Sequence, residues 1–420
     1  MSATGLTVGA ERVAAPVRAR RTDWRRIVLL LVGLLLVLAF VQQVTDNFNL
    51  TSSGQFSATL ALAVPIGLAA LGGLWSERAG VVNIGLEGQM ILGTWFGAWG
   101  AFEVGPWFGV VAGLVGGAIG GLLHAIATVT FNVDHIVSGV AINILAPGLT
   151  KYLSTLIFTG RGGGATQSPP LPRLATVPSP SALTDWLRGI ERHHWFGISD
   201  LAGLTRGLFT DLSWFTVLAV LLVPLTFWLL WRTAFGLRLR SCGEHPVAAE
   251  SLGVNVYRYK YTAVIVSGGL AGLGGAFLSI VSSGIYRDGQ TGGRGFIGLA
   301  AMIFGNWRAG GLAGGAGLFG YADALQLRGG GTAVHALLLA LALGLLLLAG
   351  WWVYRRRVRA AIPTAVIAAL VYLLFLGSDT VPQQFQSFTP HLTTLLVLAL
   401  ASQRLRMPAA DGKPYRRGEE

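Results

Sequence analysis

The chain carries a succession of apolar runs, each about as long as a helix that crosses a membrane. Phe56–Trp75, Trp107–Phe131 and Val334–Tyr354 are examples. A helix needs about 20 mostly apolar residues to span the hydrocarbon layer of a bilayer. Phe296–Trp307 is too short to span and is predicted to be a half helix. The pattern predicts an all-α, polytopic transmembrane helical bundle of about 10–12 membrane segments, including a broken or half helix.

The composition excludes the other large classes of protein. Of the 420 residues, 53% are hydrophobic and only 12% are charged, and the mean hydropathy is +0.60. A soluble domain carries about 25% charged residues. The 59 glycines suit closely packed membrane helices. Cys242 is the only cysteine of the sequence, which excludes a disulfide scaffold.

The net charge of +12 does not indicate a nucleic-acid partner. The basic residues cluster at the ends of apolar runs, without the interleaved aromatic residues of a nucleic-acid groove. The clusters are Arg18–Arg26, Arg355–Arg359 and Arg404–Arg417. Because such clusters stay in the cytoplasm, we expect both termini to be cytosolic. This predicts a basic N-terminal tail over residues 1–25, a transmembrane domain over 26–405 and a C-terminal tail over 406–420.

Two loops and one repeat are visible between the apolar runs. Counting alternate crossings from a cytosolic N-terminus places the long loop 160–212 outside and the basic loop 236–260 inside. Met90–Trp95 is similar to Met302–Trp307, and the first would run outward and the second inward. Inverted repeats are common in transporters, where the substrate path lies between the halves. The sequence therefore predicts an inverted-repeat architecture.

Residues 76–89 place Asn83, Glu87 and Gln89 within an otherwise apolar span. An ionisable side chain at depth in a membrane usually faces a cavity or a partner. Asn83 and Glu87 are four residues apart and would share one face of a helix, while nearby glycines favour a broken helix. Two interpretations stay open: these side chains line a solute pathway, or they pack helices through hydrogen bonds. Further candidate pathway residues are Asn143 and Asn306.

The inner loop 236–260 contains a predicted short helix, Glu244–Leu252, with Pro246 in its first turn and Gly253 just past its end. Basic residues flank it on both sides. Such a helix of small residues has no catalytic groups and suits docking into a groove of another protein. An ordinary basic loop is the alternative.

At these segments the chain resembles the permease subunits of bacterial ATP-binding-cassette importers, in the branch for simple sugars, branched-chain amino acids and nucleosides. Residues 76–89 read Ser-Glu-Arg-Ala-Gly-Val-Val-Asn-Ile-Gly-Leu-Glu-Gly-Gln and are similar to the nucleoside-type permeases. Other stretches that agree with this subgroup are 236–260, 295–311 and 408–415. Residues 334–376 depart from it as an additional hydrophobic hairpin with the Arg355–Arg359 cluster at its turn.

The resemblance implies a transport subunit in the plasma membrane of a bacterium, with nucleosides as the expected solute. It implies three partners: a cytosolic ATPase subunit that binds the ATP, a second permease chain (a copy or a paralogue), and an extracytoplasmic solute-binding lipoprotein. No cofactor is expected on this chain. It also implies that the predicted short helix couples to the ATPase, through Glu244, His245, Pro246, Ala248, Ala249, Leu252, Gly253 and Val254.

Alternative functions follow from the same residues. The solute could be a simple sugar or a branched-chain amino acid. An ion-coupled secondary transporter would need an ion-binding cluster, for which Glu87 is the one good candidate and has no evident partner in the sequence. A membrane-embedded enzyme would need acidic pairs or histidine clusters near one face, and the sequence has none. We therefore expect no catalytic residues and no metal site.

Overall fold

The computed structural model describes residues 24–386 and 405–418. This part of the chain is helical, and its only β-structure is isolated bridges between loop residues. The helices are α1 (Trp24–Thr45), α2 (Ser53–Arg78), α3 (Leu86–Glu103), α4 (Pro106–Ala125), α5 (His135–Phe158), α6 (Ser181–Arg192), α7 (Ile198–Phe209), α8 (Trp214–Arg232), α9 (Ala234–Glu244), α10 (Pro246–Ser251), α11 (Val256–Phe277), α12 (Arg294–Phe304), α13 (Ala309–Tyr354), α14 (Val358–Leu376) and α15 (Gln383–Gln386). Helix α4 continues as a π-helix over Ile126–Thr130, and α11 over Leu278–Ser283.

The number of membrane segments agrees with the prediction. Seven of the described helices are long and apolar enough to cross a membrane: α2, α4, α5, α8, α11, α13 and α14. Helix α13 has 46 residues and is interrupted at Gly330, whose φ of 58° is not helical, so it holds two spans. Helices α1 and α3 add two further segments, and α12 is the predicted half helix. The apolar run Thr389–Ala401 and the basic tail before Trp24 lie outside the described residues.

The centre of the bundle is built from two triplets of helices, α2–α4 and α11–α13. Helices α2 and α11 run antiparallel: a Cβ atom on Gly72 would lie 2.5 Å from the carbonyl oxygen of Ser267, and one on Gly274 would lie 3.0 Å from that of Pro65. Position 72 of α2 corresponds to position 274 of α11, and position 65 to position 267, each 202 residues further along the chain. The contact of Gly72 with Ser267 is therefore the symmetric counterpart of the contact of Gly274 with Pro65. Helices α3 and α4 pack on α11 as α12 and α13 pack on α2. The inverted-repeat architecture is therefore present in the packing.

The repeat is also present in the sequence at this crossing, where Gly67–Leu74 matches Gly269–Ala276. The predicted motif pair lies in corresponding helices, α3 and α12, which run in opposite directions as expected. Their conformations differ, however. Met90–Trp95 is helical throughout, whereas Met302–Trp307 leaves the helix at Gly305 and continues with Asn306 at a φ of 53°.

Glycine contacts set the distance between α4 and α11. In this antiparallel pair, small residues four positions apart on one helix meet small residues four apart on the other. The residues are Gly113, Gly117 and Gly121 of α4 and Gly268, Gly272 and Ala276 of α11. Gly117, Gly121, Gly268 and Gly272 meet through their backbones, as in close-packed membrane helices, and Gly113 faces the Cβ atom of Ala276. A side chain at the glycine positions would separate the helices.

The remaining elements surround this centre. Helix α1 packs against the part of α13 beyond Gly330, and α13 packs against α14, where the His335 and Phe375 rings stack with centroids 4.5 Å apart. Helices α6 and α7 lie near the start of α2, where Glu191 accepts a hydrogen bond from the backbone N–H of Ser53. Helices α9 and α10 and residues 405–418, which we call the C-terminal strap, lie near the other end of α2. We call this the α10 end of the bundle.

Candidate functional site

The span that carries Asn83 and Glu87 is broken. Helix α2 ends at Arg78, α3 begins at Leu86, and residues 79–85, which we call the break, are not helical. Gly80 has a φ of 82°, which a residue with a side chain adopts only with strain. The break turns back into the bundle, because Leu86 packs beside Gly72, six residues (about 9 Å) before the end of α2. Helix α3 thus begins inside the bundle, and the expectation that Asn83 and Glu87 share a helical face is wrong.

Side chains of two other helices satisfy the backbone of the break. His124 Nε2 lies 2.9 Å from the carbonyl oxygen of Val82, and the N–H of Val82 donates to Nδ1 of His135 (3.2 Å). Asn143 donates to the carbonyl oxygen of Ile84 (3.0 Å) and accepts from the N–H of Gly88 (2.7 Å). Non-helical backbone within a membrane protein is stable only with such partners. The two histidines are not predicted as site residues from the sequence, since their role depends on which backbone they face.

Asn83 and Gln89 bind each other across the start of α3. Their amides exchange two hydrogen bonds of 2.9 and 3.2 Å, and Asn83 donates a third, of 2.9 Å, to the hydroxyl of Ser267 on α11. All three side chains are fully buried. In this conformation the cluster joins α3 to α11.

The Glu87 carboxylate lies at the N-terminus of the half helix α12. Its oxygens accept hydrogen bonds from the N–H groups of Gly293 (3.0 Å) and Gly295 (2.7 Å). The first N–H groups of a helix have no partner within the helix and carry partial positive charge, so a carboxylate satisfies them well. Glu87 therefore does have a partner, which the sequence could not show because it is backbone 206 residues away.

The start of α12 lies deep in the bundle. Gly298, one turn into α12, packs against Ala69 near the middle of α2. Helices α3 and α12 therefore begin close together and diverge towards opposite ends of the bundle. Near this junction Arg294 forms an ion pair of 2.6 Å with Asp323 of α13. Two buried donors, Nε2 of Gln290 and Nε of Arg294, have no hydrogen-bond partner among the described residues.

Asn306 lies apart from this junction, in the turn between α12 and α13. Its side-chain oxygen accepts from the N–H of Arg406 in the strap (2.7 Å). The next residue, Trp307, donates from Nε1 to the carboxylate of Glu77 (2.5 Å), and its carbonyl oxygen accepts from Arg78 (2.6 Å). The structure thus brings together four of the five predicted pathway residues and places the fifth at the α10 end.

The predicted short helix at this end is shorter than expected. Glu244 ends α9, His245 has a non-helical φ of −142°, and α10 begins at Pro246. Proline cannot continue the α9 hydrogen-bonding pattern but suits the first turn of a new helix. Gly253, with a φ of 81°, follows the helix as predicted. Ala249 is buried, whereas Leu252 is 85% exposed and Val247 is also exposed.

Cys242, in the last turn of α9, is buried. Burial raises the pKa of its thiol to about 11. The thiolate is the reactive form of cysteine. Cys242 is therefore a packing residue.

A carboxyl of the strap is buried against α2. Asp411 is 7% exposed, and neither of its oxygens has a hydrogen-bond donor among the described residues. The groups that face it are Glu77 and Arg78 of α2 and Lys260 of α11. Burial raises the pKa of Asp411 to about 7. The docked strap therefore favours the neutral acid.

This raised pKa predicts that the contribution of Asp411 to stability is lost as the pH rises from about 4 towards 7, because undocked Asp411 gives up its proton near its ordinary pKa and docked Asp411 only near pH 7. We expect Asp411→Asn, which cannot titrate, to shift the difference in melting temperature between pH 5 and pH 8 in favour of pH 8, compared with wild-type protein in detergent. Lys413→Gln, at an exposed neighbour in the strap, is the control. An unchanged difference in Asp411→Asn would contradict the assignment.

Taken together, a helical membrane bundle with an inverted repeat, two helices that begin at its centre and an exposed short helix at one end define a membrane permease. The chain belongs to the family described as "Branched-chain amino acid transport system / permease component", whose model matches residues 55–350. This membership indicates a role in transport.

Curated relatives are similar over most of the chain. The guanosine ABC transporter permease protein NupQ of Bacillus subtilis is 34% identical over 370 residues, 86% of this chain and 96% of that protein. The nucleoside ABC transporter permease protein NupC of Lactococcus lactis is 31% identical over 85% of this chain and 94% of its own. The putative glucose ABC transporter permease protein TsgC13 of Haloferax volcanii is 32% identical over 87% and 98%. No solved structure matches significantly.

Proposed function

We propose that this chain is the membrane-spanning subunit of an ATP-binding-cassette importer that carries nucleosides across the plasma membrane of a bacterium. The similarity to guanosine and nucleoside permeases over more than four fifths of the chain carries the proposal. ATP is hydrolysed on a separate subunit, and a second permease chain and an extracytoplasmic solute-binding lipoprotein complete the transporter. The α10 end and both termini face the cytosol, in agreement with the basic clusters there.

The polar groups at the junction of α3 and α12 support the proposal that a solute pathway passes there. Asn83, Gln89 and Asn143 carry amides that can match the base and hydroxyl groups of a nucleoside once their mutual hydrogen bonds open. Glu87 and the N–H groups that it caps offer acceptors and donors at the same place. The unmatched donors of Gln290 and Arg294 add to this set. Asn306 lies at the cytosolic mouth of this proposed pathway.

Contacts and exposed side chains between α9 and α11 support the proposal that this segment couples to the ATPase subunit. Glu244 contacts Arg78 at the end of α2 (3.7 Å), so a force on α10 reaches the base of the break. Val247 and Leu252 are apolar and exposed beside basic residues, which suits insertion into a groove of the ATPase subunit. The other proposed coupling residues surround them: His245, Pro246, Ala248, Ala249, Gly253 and Val254.

Uptake by the reconstituted transporter tests the proposal. The permease chains, the ATPase and the binding protein are placed in proteoliposomes, and entry of labelled guanosine is measured with and without ATP. Labelled glucose and leucine serve as comparison solutes. We expect ATP-dependent guanosine uptake. Uptake of glucose instead would identify the sugar alternative, and uptake that follows a proton gradient without ATP would identify a secondary transporter.

Removing the exposed apolar side chains of α10 tests the coupling site. Burial of a Val or Leu side chain contributes about 1.5–3 kcal/mol, and 1.4 kcal/mol is a factor of ten in affinity. We therefore expect Val247→Ser with Leu252→Ser to reduce co-purification of the ATPase subunit at least tenfold and to abolish uptake. Leu183→Ser, at an exposed position of α6, should leave both unchanged. Equal co-purification with the double variant would show that docking occurs elsewhere.

A further inference from the structure

The C-terminal strap folds back onto the bundle. Pro408, Ala410, Asp411 and Tyr415 of the strap are buried, whereas its other residues are exposed. The backbone N–H of Ala410 donates to the carbonyl oxygen of Gly243 (2.9 Å). The strap lies outside α10 and outside the junction of α3 and α12.

One end of the strap holds α10. The hydroxyl of Tyr415 donates to the carboxylate of Glu250, and Nε of Arg417 lies 2.9 Å from the same carboxylate. The Tyr415 ring packs against Tyr257 at a centroid distance of 5.6 Å, and Nζ of Lys260 lies 5.8 Å from its centroid. Both of these partners are on α11. The strap therefore joins the short helix to the first turns of the span that follows it.

The other end of the strap contacts the break before α3 and the turn after α12. At the break, a Cβ atom on Gly80 would lie 3.2 Å from the carbonyl oxygen of Ala410, so only glycine permits this contact without a shift. Asp411 lies against Glu77, which itself accepts from Trp307 in the turn after α12. Arg406 donates its N–H to Asn306 in the same turn. One short segment thus contacts α10, the break before α3 and the turn after α12.

We propose that the C-terminal strap transmits movement of α10 to the two helices that begin inside the bundle, in addition to the direct contacts of α9, with Tyr415 as the positioning residue that holds α10 through Glu250. This inference rests on the proposed function, since the movement originates in the ATPase subunit. A displacement of α10 moves Tyr415 through its hydrogen bond with Glu250. The strap then displaces the break and the turn after α12, which its other residues contact.

Direct contacts run beside the strap. Gly243, near the end of α9, packs on Gly80 of the break. Glu244 contacts Arg78, which donates to the carbonyl oxygen of Trp307. The strap adds the contacts with α10 itself.

Coupling between hydrolysis and uptake tests the strap. In the reconstituted transporter, solute uptake per ATP hydrolysed is compared for wild type, Tyr415→Phe, Tyr415→Ala and the control Lys413→Gln. We expect Tyr415→Ala to retain the ATPase subunit but to lower the ratio at least tenfold, Tyr415→Phe to lower it about threefold because its ring still packs, and Lys413→Gln to match wild type. A ratio in Tyr415→Ala equal to that of wild type overturns the proposal.

The choice of solute and one further measurement separate this inference from the proposed function. The ratio is taken with whichever solute the wild type carries, so an error in solute class leaves the test intact. Amide hydrogen exchange of the permease alone needs neither solute nor ATPase: in Tyr415→Ala we expect at least threefold faster exchange in residues 245–254 and also in 79–85, with Tyr415→Phe intermediate. Faster exchange confined to residues 405–418 would overturn the link, even if the transporter functions. If Tyr415→Ala does not purify as a monodisperse species, Tyr415→Phe with Arg417→Gln replaces it in both measurements.

Discussion

Replacing Gly117 by alanine is expected to prevent the chain from accumulating as a folded, monodisperse membrane protein. The added Cβ atom would overlap the carbonyl oxygen of Gly268 and come within 2.5 Å of the Cα atom of Gly272. These are backbone atoms of α11 and cannot move aside as a flexible side chain could. Overpacking of a well-packed interior typically costs about 1–3 kcal/mol, and a clash with backbone lies at the upper end. Expression and size-exclusion profiles in mild detergent measure the effect.

Gly148→Ala is the matched control for this substitution. It makes the same change within a predicted span, α5, but an added Cβ atom there has nothing within 4 Å. We expect it to resemble wild type in yield and melting temperature, because alanine is also the better helix former. Equal profiles for the two variants would mean that α4 and α11 are not in backbone contact.

The second large effect is expected from Glu87→Gln. An amide of the same shape can accept through only one of its two terminal atoms, and its NH₂ group would point at a backbone N–H of α12. A buried donor left without an acceptor costs about 1–3 kcal/mol, and the charge interaction with the helix end is lost as well. We expect the melting temperature to fall by several degrees and uptake to fall at least tenfold.

Glu103→Gln is the control for this change of charge. Glu103 pairs with Arg161 at 2.6 Å on the surface, where both side chains are partly exposed, so its loss should leave uptake unaltered. Glu87→Asp separates charge from reach, because the shorter acid keeps the charge but draws it back from Gly293 and Gly295. Normal uptake with Glu87→Gln would show that this cap is dispensable. A folded Glu87→Gln protein that lost only a dependence on the proton gradient would point to the ion-coupled alternative.

The sequence is sufficient to predict the class of fold, because apolar runs of spanning length indicate membrane helices wherever they occur. It also predicts the half helix, from its shortness, and the break before α3, from its glycines. The extent of the break does not follow from the sequence: Val81–Phe102 reads as one apolar run, and propensity alone does not show that its first residues turn back. Hydrogen bonds from His124, His135 and Asn143, which are distant in the sequence, stabilise the non-helical backbone of the break.

Long-range partners account for what the sequence could not provide at the site. Glu87 has no visible partner in the sequence because its acceptor atoms face backbone N–H groups, which every residue except proline carries and which no motif marks. The repeat is recognisable in Met90–Trp95, but the better-matched copy is Gly67–Leu74, whose small residues are indistinguishable from ordinary membrane-helix composition. The contact of Tyr415 with Glu250 joins residues 165 positions apart and leaves no pattern in the chain.

The inverted repeat that relates α2–α4 to α11–α13 has an energetic consequence. If α2–α4 and α11–α13 each took up the arrangement of the other, the backbone packing that one triplet breaks would form again in its counterpart, and the access route would open to the other face. Two such end states would be close in energy, and the resting preference would depend on the parts without a counterpart: the Glu87 cap, the strap and the hairpin of residues 334–376. A partner that binds one state better by only a few kcal/mol can then reverse the populations. The few contacts without a symmetric counterpart would then determine which of the two conformations is populated at rest.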